Sequence, residues 1–247
     1  VEAALAETSA PLVTVVHVDL PCNNWAAFLE NTADLTRPNL LTLLSPVSFY
    51  RRAVQPSSIA LGVAAYSFHW TQSIHPVPGF LFGQAAPDSA AKQRWCEASS
   101  ADFTLLIRQR ITEMEPGATF IITQPYTLHG THTEAIVTVM EAAHAALYER
   151  GILTGDVQLS IPEHFRTPEE ILAVLTTFSD EITDIRCDAV VKPNPAWEAA
   201  QCSPDPRAAL AAQSAAFNRV IHHSILAQQL EAKLGGDTAA AGLSGYW

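Results

Sequence analysis

The stretch PLVTVVHVDLPCNNWAAFLE, residues 11–30, decides the fold. Its first ten residues are almost continuously apolar and rich in β-branched side chains, the composition of a strand buried on both faces, as in a parallel sheet. The run stops at Asp19, and a proline and two asparagines follow as turn chemistry. Trp25, Phe28 and Leu29 then recur at helical spacing, with Asn23 or Asn24 placed to cap. The whole reads as strand, turn, helix: one step of an alternating α/β domain.

Working outward, the alternation continues. Residues 39–54 (NLLTLLSPVSFYRRAV) read as part strand and part turn, and residues 57–68 (SSIALGVAAYSF) as a second buried strand in which Ala64, Ala65 and Phe68 face the packing. Residues 89–114 carry Phe103, Leu106, Ile107, Ile111 and Met114 on one helical face, a helix expected to close at Glu115-Pro116-Gly117. Residues 118–126 form a third strand. Residues 1–8 read as the tail of a helix, and the pattern beyond 126 turns helical: 131–151, 167–181 with Thr167 as N-cap and Pro168 at the first helical position, and 207–234. One strand, TDIRCDAVV at 183–191, interrupts them. The expected organisation is a core over 1–125, a helical cap over 126–182, a returning core strand over 183–192, further cap helices over 193–234 and a loose tail over 235–247.

Composition narrows the function. Of 247 residues, 14 are basic and 25 acidic, a formal net charge of -11. That excludes a protein built to neutralise nucleic-acid phosphates, and an anionic ligand would have to be held by local hydrogen bonds in a dry pocket. Four dispersed cysteines form no C-x-x-C pair, so neither a zinc ribbon nor a redox motif is expected. With no secretory pattern and no apolar run of membrane-spanning length, a cytoplasmic protein with reduced thiols and no membrane partner is the expectation.

Chemistry-bearing residues leave alternatives open. Asp19 at the tip of a strand either accepts hydrogen bonds from ribose hydroxyls or caps the following turn. The histidines of HGTH (129–132) and the pair His222-His223 lack metal-ligand spacing and read as solvent-exposed, while His144 and Tyr148, one helical turn apart, pack against the sheet. No nucleophile elbow occurs. YSFHW, residues 66–70, is either a core plug or the wall of a site. The first glycine in the chain is Gly62, so a glycine-rich cofactor loop on the sheet's first strand is expected outside residues 1–247.

Taken in order, five segments resemble the SABATH family of S-adenosylmethionine-dependent carboxyl methyltransferases: VDLPCNNWAAF (18–28), SPVSFYRRAVQPSSI (45–59), YSFHWTQSIHP (66–76), FTLLIRQRITEMEPGATFIIT (103–123) and LSIPEHFRTPEEI (159–171). The resemblance implies a class I methyltransferase, a Rossmann-like α/β sheet under a helical cap. It also implies methyl-ester formation on a small aromatic or aliphatic carboxylic acid, with S-adenosyl-L-homocysteine as product. By position, Asp19 and Leu20 match the ribose and adenosine pair, Ser48 and Phe49 the adenine pair, and Tyr66, His69 and Trp70 the acceptor pocket. There the indole N–H donates to the substrate carboxylate. No general base is expected, because a carboxylate is already a nucleophile and the site has only to align it and exclude water. VQLS at 157–160 departs from the family's metal-associated positions, so no metal is expected. Plant relatives suggest a homodimer. The second reading is a non-catalytic methyltransferase-like binding protein that has lost the methyl-donor site.

Overall fold

The computed structural model describes residues 11–35, 37–72, 75–126, 132–155, 157–190 and 195–244. The opening stretch forms the expected strand and helix, β1 (Val13–Asp19) and α1 (Trp25–Asn31), but β1 is not covered on both faces as expected: its residues are half-buried or exposed, and β-branched composition alone does not supply a covering layer. The Asn24 side chain caps α1 by accepting the Ala27 N–H at 3.0 Å. Phe28 packs on His17 of β1, ring centroids 4.6 Å apart, which ties the helix back onto its strand.

β2 (Leu40–Pro46) runs parallel to β1 in a register that sets Val13 opposite Leu40 and Asp19 opposite Pro46. β3 (Ile59–Ala65) pairs with β4 (Met114–Thr123), and no strand joins the two pairs among the described residues. The expected Rossmann-like sheet is therefore present only as two short two-stranded pieces. Between β3 and β4 runs α2 (Ala90–Glu113), whose apolar face buries Trp95, Phe103, Leu106 and Ile107. α2 ends before the expected Glu115-Pro116-Gly117 stop, and those three residues belong to β4. The reason is that the last carbonyls of the helix, Thr112 and Glu113, are already taken by the backbone N–H groups of Ser57 and Ser58. A helix end satisfied by a neighbouring chain needs no glycine cap.

The chain divides into two compact units: Val1–Gly62 with Leu105–Ile121, and Val63–Thr104 with Ile122–Trp247. In the first, the buried Arg110 and Glu113 hold the segment after β2. Arg110 donates to the Arg51 carbonyl at 2.8 Å and to Glu113 at 3.0 Å, and Glu113 accepts the Ala53 N–H at 2.5 Å.

The second unit is helical. α3 (His132–Glu149), α4 (Pro168–Thr176), α5 (Pro195–Gln201), α6 (Pro206–Leu234) and α7 (Gly236–Ser244) follow in order. Its core gathers Leu81 and Phe82, Met140 and Leu147 of α3, and Leu226 and Leu230 of α6. Through it passes an irregular extended segment, residues 157–165, whose backbone is satisfied by neighbours as burial demands. Ser160 exchanges two hydrogen bonds with the Gln229 side chain, Ile161 donates to Leu81, His164 donates to the His69 carbonyl, and Phe165 donates to Gln84.

Four expectations need correction. Residues 183–190 form no strand: most of them are exposed and have no ladder partner among the described residues, and β-propensity without a partner makes no strand. The 235–247 stretch is not loose over its described part, because α7 buries Ala239 and packs Leu243 on the core. β3 is not the buried strand expected: within it only Ala64 is buried, Leu61, Val63 and Ala65 are exposed, and Phe68 beyond it is buried as expected. His144 and Tyr148 meet edge-on at 5.0 Å within the helical unit instead of on a sheet, the Tyr148 hydroxyl donating to the Val157 carbonyl. Residues 1–8 and His129 lie outside the described residues.

Candidate functional site

The C-terminal ends of β1 and β2 lie side by side, because the parallel register ends with Asp19 against Pro46. β1 delivers Asp19 and Leu20 there, and β2 leads through Val47 into Ser48 and Phe49. Four of the seven expected site residues thus lie at or just past the C-terminal ends of two adjacent parallel strands, the end at which parallel α/β sheets bind ligands. The Asp19 carboxylate accepts from the Leu20 N–H at 2.7 Å and from the Asn23 amide at 2.9 Å, so it caps its turn. Capping does not use it up: the carboxylate is exposed and each oxygen keeps a further acceptor site. Phe49 packs on the buried Tyr50 with centroids 4.9 Å apart, and the Ser48 hydroxyl accepts the Tyr50 N–H at 3.3 Å.

The remaining three expected residues separate. Tyr66 leaves β3 in the left-handed region (φ 52°), its N–H bonded to the Thr123 carbonyl at 2.7 Å, and its side chain is 62% exposed. His69 and Trp70 instead enter a mostly buried cluster. Trp70 pairs with Glu163 in a single antiparallel bridge, and its ring lies 5.6 Å from His69 and 6.2 Å from His222. Phe165 stacks on His69 at 5.5 Å, and Phe82 meets His222 edge-on at 6.2 Å.

At the centre is Glu163. Its two carboxylate oxygens face His69 Nε2 at 3.5 Å and His222 Nε2 at 3.2 Å. Burial alone would raise this carboxyl, but the hydrogen bonds from His222 and His69 outweigh it and hold the group below its ordinary value. His222, expected to be exposed, is only 2% exposed. The sequence held a signal for it: Asn218, His222, Leu226 and Leu230 recur every fourth residue, and all four are buried on one stripe of α6. Glu163 could not be found that way, because the 159–166 segment buries residues of both alternating rows.

Two more polar residues were missed. Gln124 and Tyr126, just past β4, have a buried amide and a buried hydroxyl with no hydrogen-bond partner. The Tyr66–Thr123 bond sets the end of β3 beside this segment.

A separate cleft of about 300 Å³ lies over Cys96, Ser99, His164, Arg166, Glu170 and Val174. His164 there is already bonded on both nitrogens, by the Trp95 indole at 3.1 Å and Glu170 at 3.2 Å. Arg166 donates to the Phe68 carbonyl and to Ser99. Burial, seconded by the negative charge of Glu170, pushes the Cys96 thiol up, so it is no activated nucleophile. These groups hold the fold. Among the described residues no group of three or more His, Cys, Asp or Glu side chains is disposed to hold a metal ion, and no described helix is long and apolar enough to cross a membrane.

No family model and no curated protein matches this sequence. Among solved structures, the chain is similar to one described as loganic acid methyltransferase with SAH, at TM-score 0.65 and 16% identity, over 97% of this chain and 68% of that one. At that identity the likeness establishes the fold: the chain has a methyltransferase fold of mixed α/β type.

Proposed function

We propose that this chain is an S-adenosylmethionine-dependent O-methyltransferase of the SABATH family, forming the methyl ester of a small aromatic or aliphatic carboxylic acid. The observation that carries the reading is the ordered set of sequence blocks occurring within a methyltransferase fold. It is supported by Asp19, Leu20, Ser48 and Phe49 lying at or just past the C-terminal ends of two adjacent parallel strands, and by a similar fold having been solved with SAH.

The residues present fit the methyl donor. Asp19 offers hydrogen-bond acceptors suited to vicinal hydroxyls, and Leu20 and Phe49 offer apolar surface suited to a flat base. When bound, S-adenosylmethionine supplies an electrophilic methyl group on a sulfonium. The chain's own contribution is positioning. Trp70 donates its indole N–H toward the acceptor carboxylate, and the rings of Phe82 and Phe165 around it keep water out. No residue has to remove a proton, since the attacking oxygen is ionised at neutral pH.

Incubation with isotope-labelled methyl donor and a panel of aromatic and aliphatic acids tests the reading, alongside calorimetry with S-adenosylhomocysteine. Saturable formation of a labelled methyl ester is the expected result. Absence of ester from every acid, with no binding of S-adenosylhomocysteine, would return the protein to the non-catalytic reading.

A further inference from the structure

Both oxygens of the buried Glu163 are occupied by imidazole Nε2 atoms, those of His69 and His222. A carboxylate only accepts, so each Nε2 carries its ring's proton, and in the neutral ring that leaves Nδ1 a bare acceptor. Neither Nδ1 has a hydrogen-bond partner, although His69 is 7% and His222 2% exposed. Buried acceptors are ordinarily satisfied, and leaving one unpaired is costly. Two rings, each with its Nδ1 unpaired, thus flank Trp70 from opposite oxygens of one carboxylate.

We propose that the Nδ1 atoms of His69 and His222 read hydroxyl groups of the methyl acceptor, with Glu163 as the positioning residue that fixes both tautomers. The substrate class is then a carboxylic acid bearing at least one hydroxyl away from its carboxylate. A hydroxyl fits a lone Nδ1 because it donates a single hydrogen bond, and Glu163 already has an imidazole on each of its oxygens. The proposal rests on the methyl-transfer reading of the same site. A site built to bond a substrate hydroxyl discriminates strongly against the analogue lacking it, because its own buried acceptors are left unpaired.

The test compares 3-phenylpropanoic acid with its 2-, 3- and 4-hydroxyphenyl analogues, and hexanoic acid with 6-hydroxyhexanoic acid. The readouts are methyl-ester formation and calorimetric binding in the presence of S-adenosylhomocysteine. At least one hydroxylated acid is expected to exceed its parent about tenfold or more in kcat/KM. His222→Gln keeps an amide donor toward Glu163 while deleting Nδ1, and His69→Gln does the same on the other arm. One or both should bring the hydroxyl preference to within about twofold of unity, and Glu163→Gln should erode it by releasing the tautomers. A merely structural role for Glu163 would lower activity toward hydroxylated and parent acids alike and leave their ratio intact. If the variants fail to fold by circular dichroism, the wild-type preference and binding series decide alone. Equal methylation of hydroxylated and parent acids overturns this proposal and leaves methyl transfer standing, as does a preference that survives all three substitutions. Methylation of no acid at all removes both.

Discussion

Trp70 separates packing from recognition at the scale of single residues, because its ring serves both. Trp70→Phe keeps most of the apolar area and removes the indole N–H. Under the proposed function, acceptor affinity measured by calorimetry should fall by about 1.5–3 kcal/mol, the worth of a hydrogen bond to a charged group, with thermal unfolding little changed. Arg166 is the structural counterpart. Buried at 2% exposure, it donates to the Phe68 carbonyl, the Ser99 carbonyl and the Ser99 hydroxyl, and its guanidinium lies 4.5 Å from the Phe103 centroid. Arg166→Met should leave those acceptors unpaired and lower stability by about 3–5 kcal/mol in urea unfolding. His144 sets a pH dependence, since burial lowers it from 6.5 to about 4. The folded ring stays neutral while the unfolded chain takes up a proton below 6.5. Stability should therefore be full above that pH, fall by about 3 kcal/mol as pH drops toward 4, and level off below. Replacing His144 by Leu should flatten that slope in urea titrations across the same window. Of these three residues, Trp70 stood out in the sequence by its neighbours; Arg166 did not, because a lone arginine in EHFRT carries no mark of burial.

Among the elements, those with local start signals begin where the sequence puts them, although α4 ends at Thr176 and not at 181. α4 has the Thr167 cap, Pro168 at the first helical position and a complete capping box, with Thr167 accepting the Glu170 N–H at 3.2 Å and Glu170 accepting the Thr167 N–H at 2.8 Å. Thr167→Ala should cost about 1 kcal/mol in chemical denaturation. β3 and β4 meet closely at Gly62, where an added Cβ would fall on the Phe120 ring. Gly62→Ala should displace that ring and destabilise the strand pair by about 1–3 kcal/mol, read as a lower midpoint in the same titration. The 183–191 segment shows the limit of such reasoning. It carries Thr183, Ile185 and Val190 as β-branched residues, yet among the described residues 183–190 none finds a ladder partner, whereas β1 does. Whether a strand forms depends on a neighbour many residues away, and no window of local pattern contains that neighbour.

For the whole molecule, the tail is a case where low complexity misleads. GGDTAAAGLSGYW looks like a solvated end, but α7 seats Ala239 and Leu243 on the core and covers Leu230, which is fully buried. Truncation after Gly235 should therefore uncover that surface and cost about 2–4 kcal/mol of stability, visible as a lowered unfolding midpoint. The acidic balance of the chain, -11, constrains the site in turn. With no surplus of cations to draw an anion in, recognition of a carboxylate falls to neutral donors in a dry setting. The sequence by itself determined the strand–turn–helix step at residues 11–30, the caps of α1 and α4, the long helices and the order of the blocks, because all of these are encoded by neighbours a few positions apart. Only the tertiary structure decided that Glu163, from an irregular segment, would meet His69 after β3 and His222 on α6. A buried carboxylate takes its partners from whatever the packing brings within hydrogen-bond reach, and no periodicity records that choice.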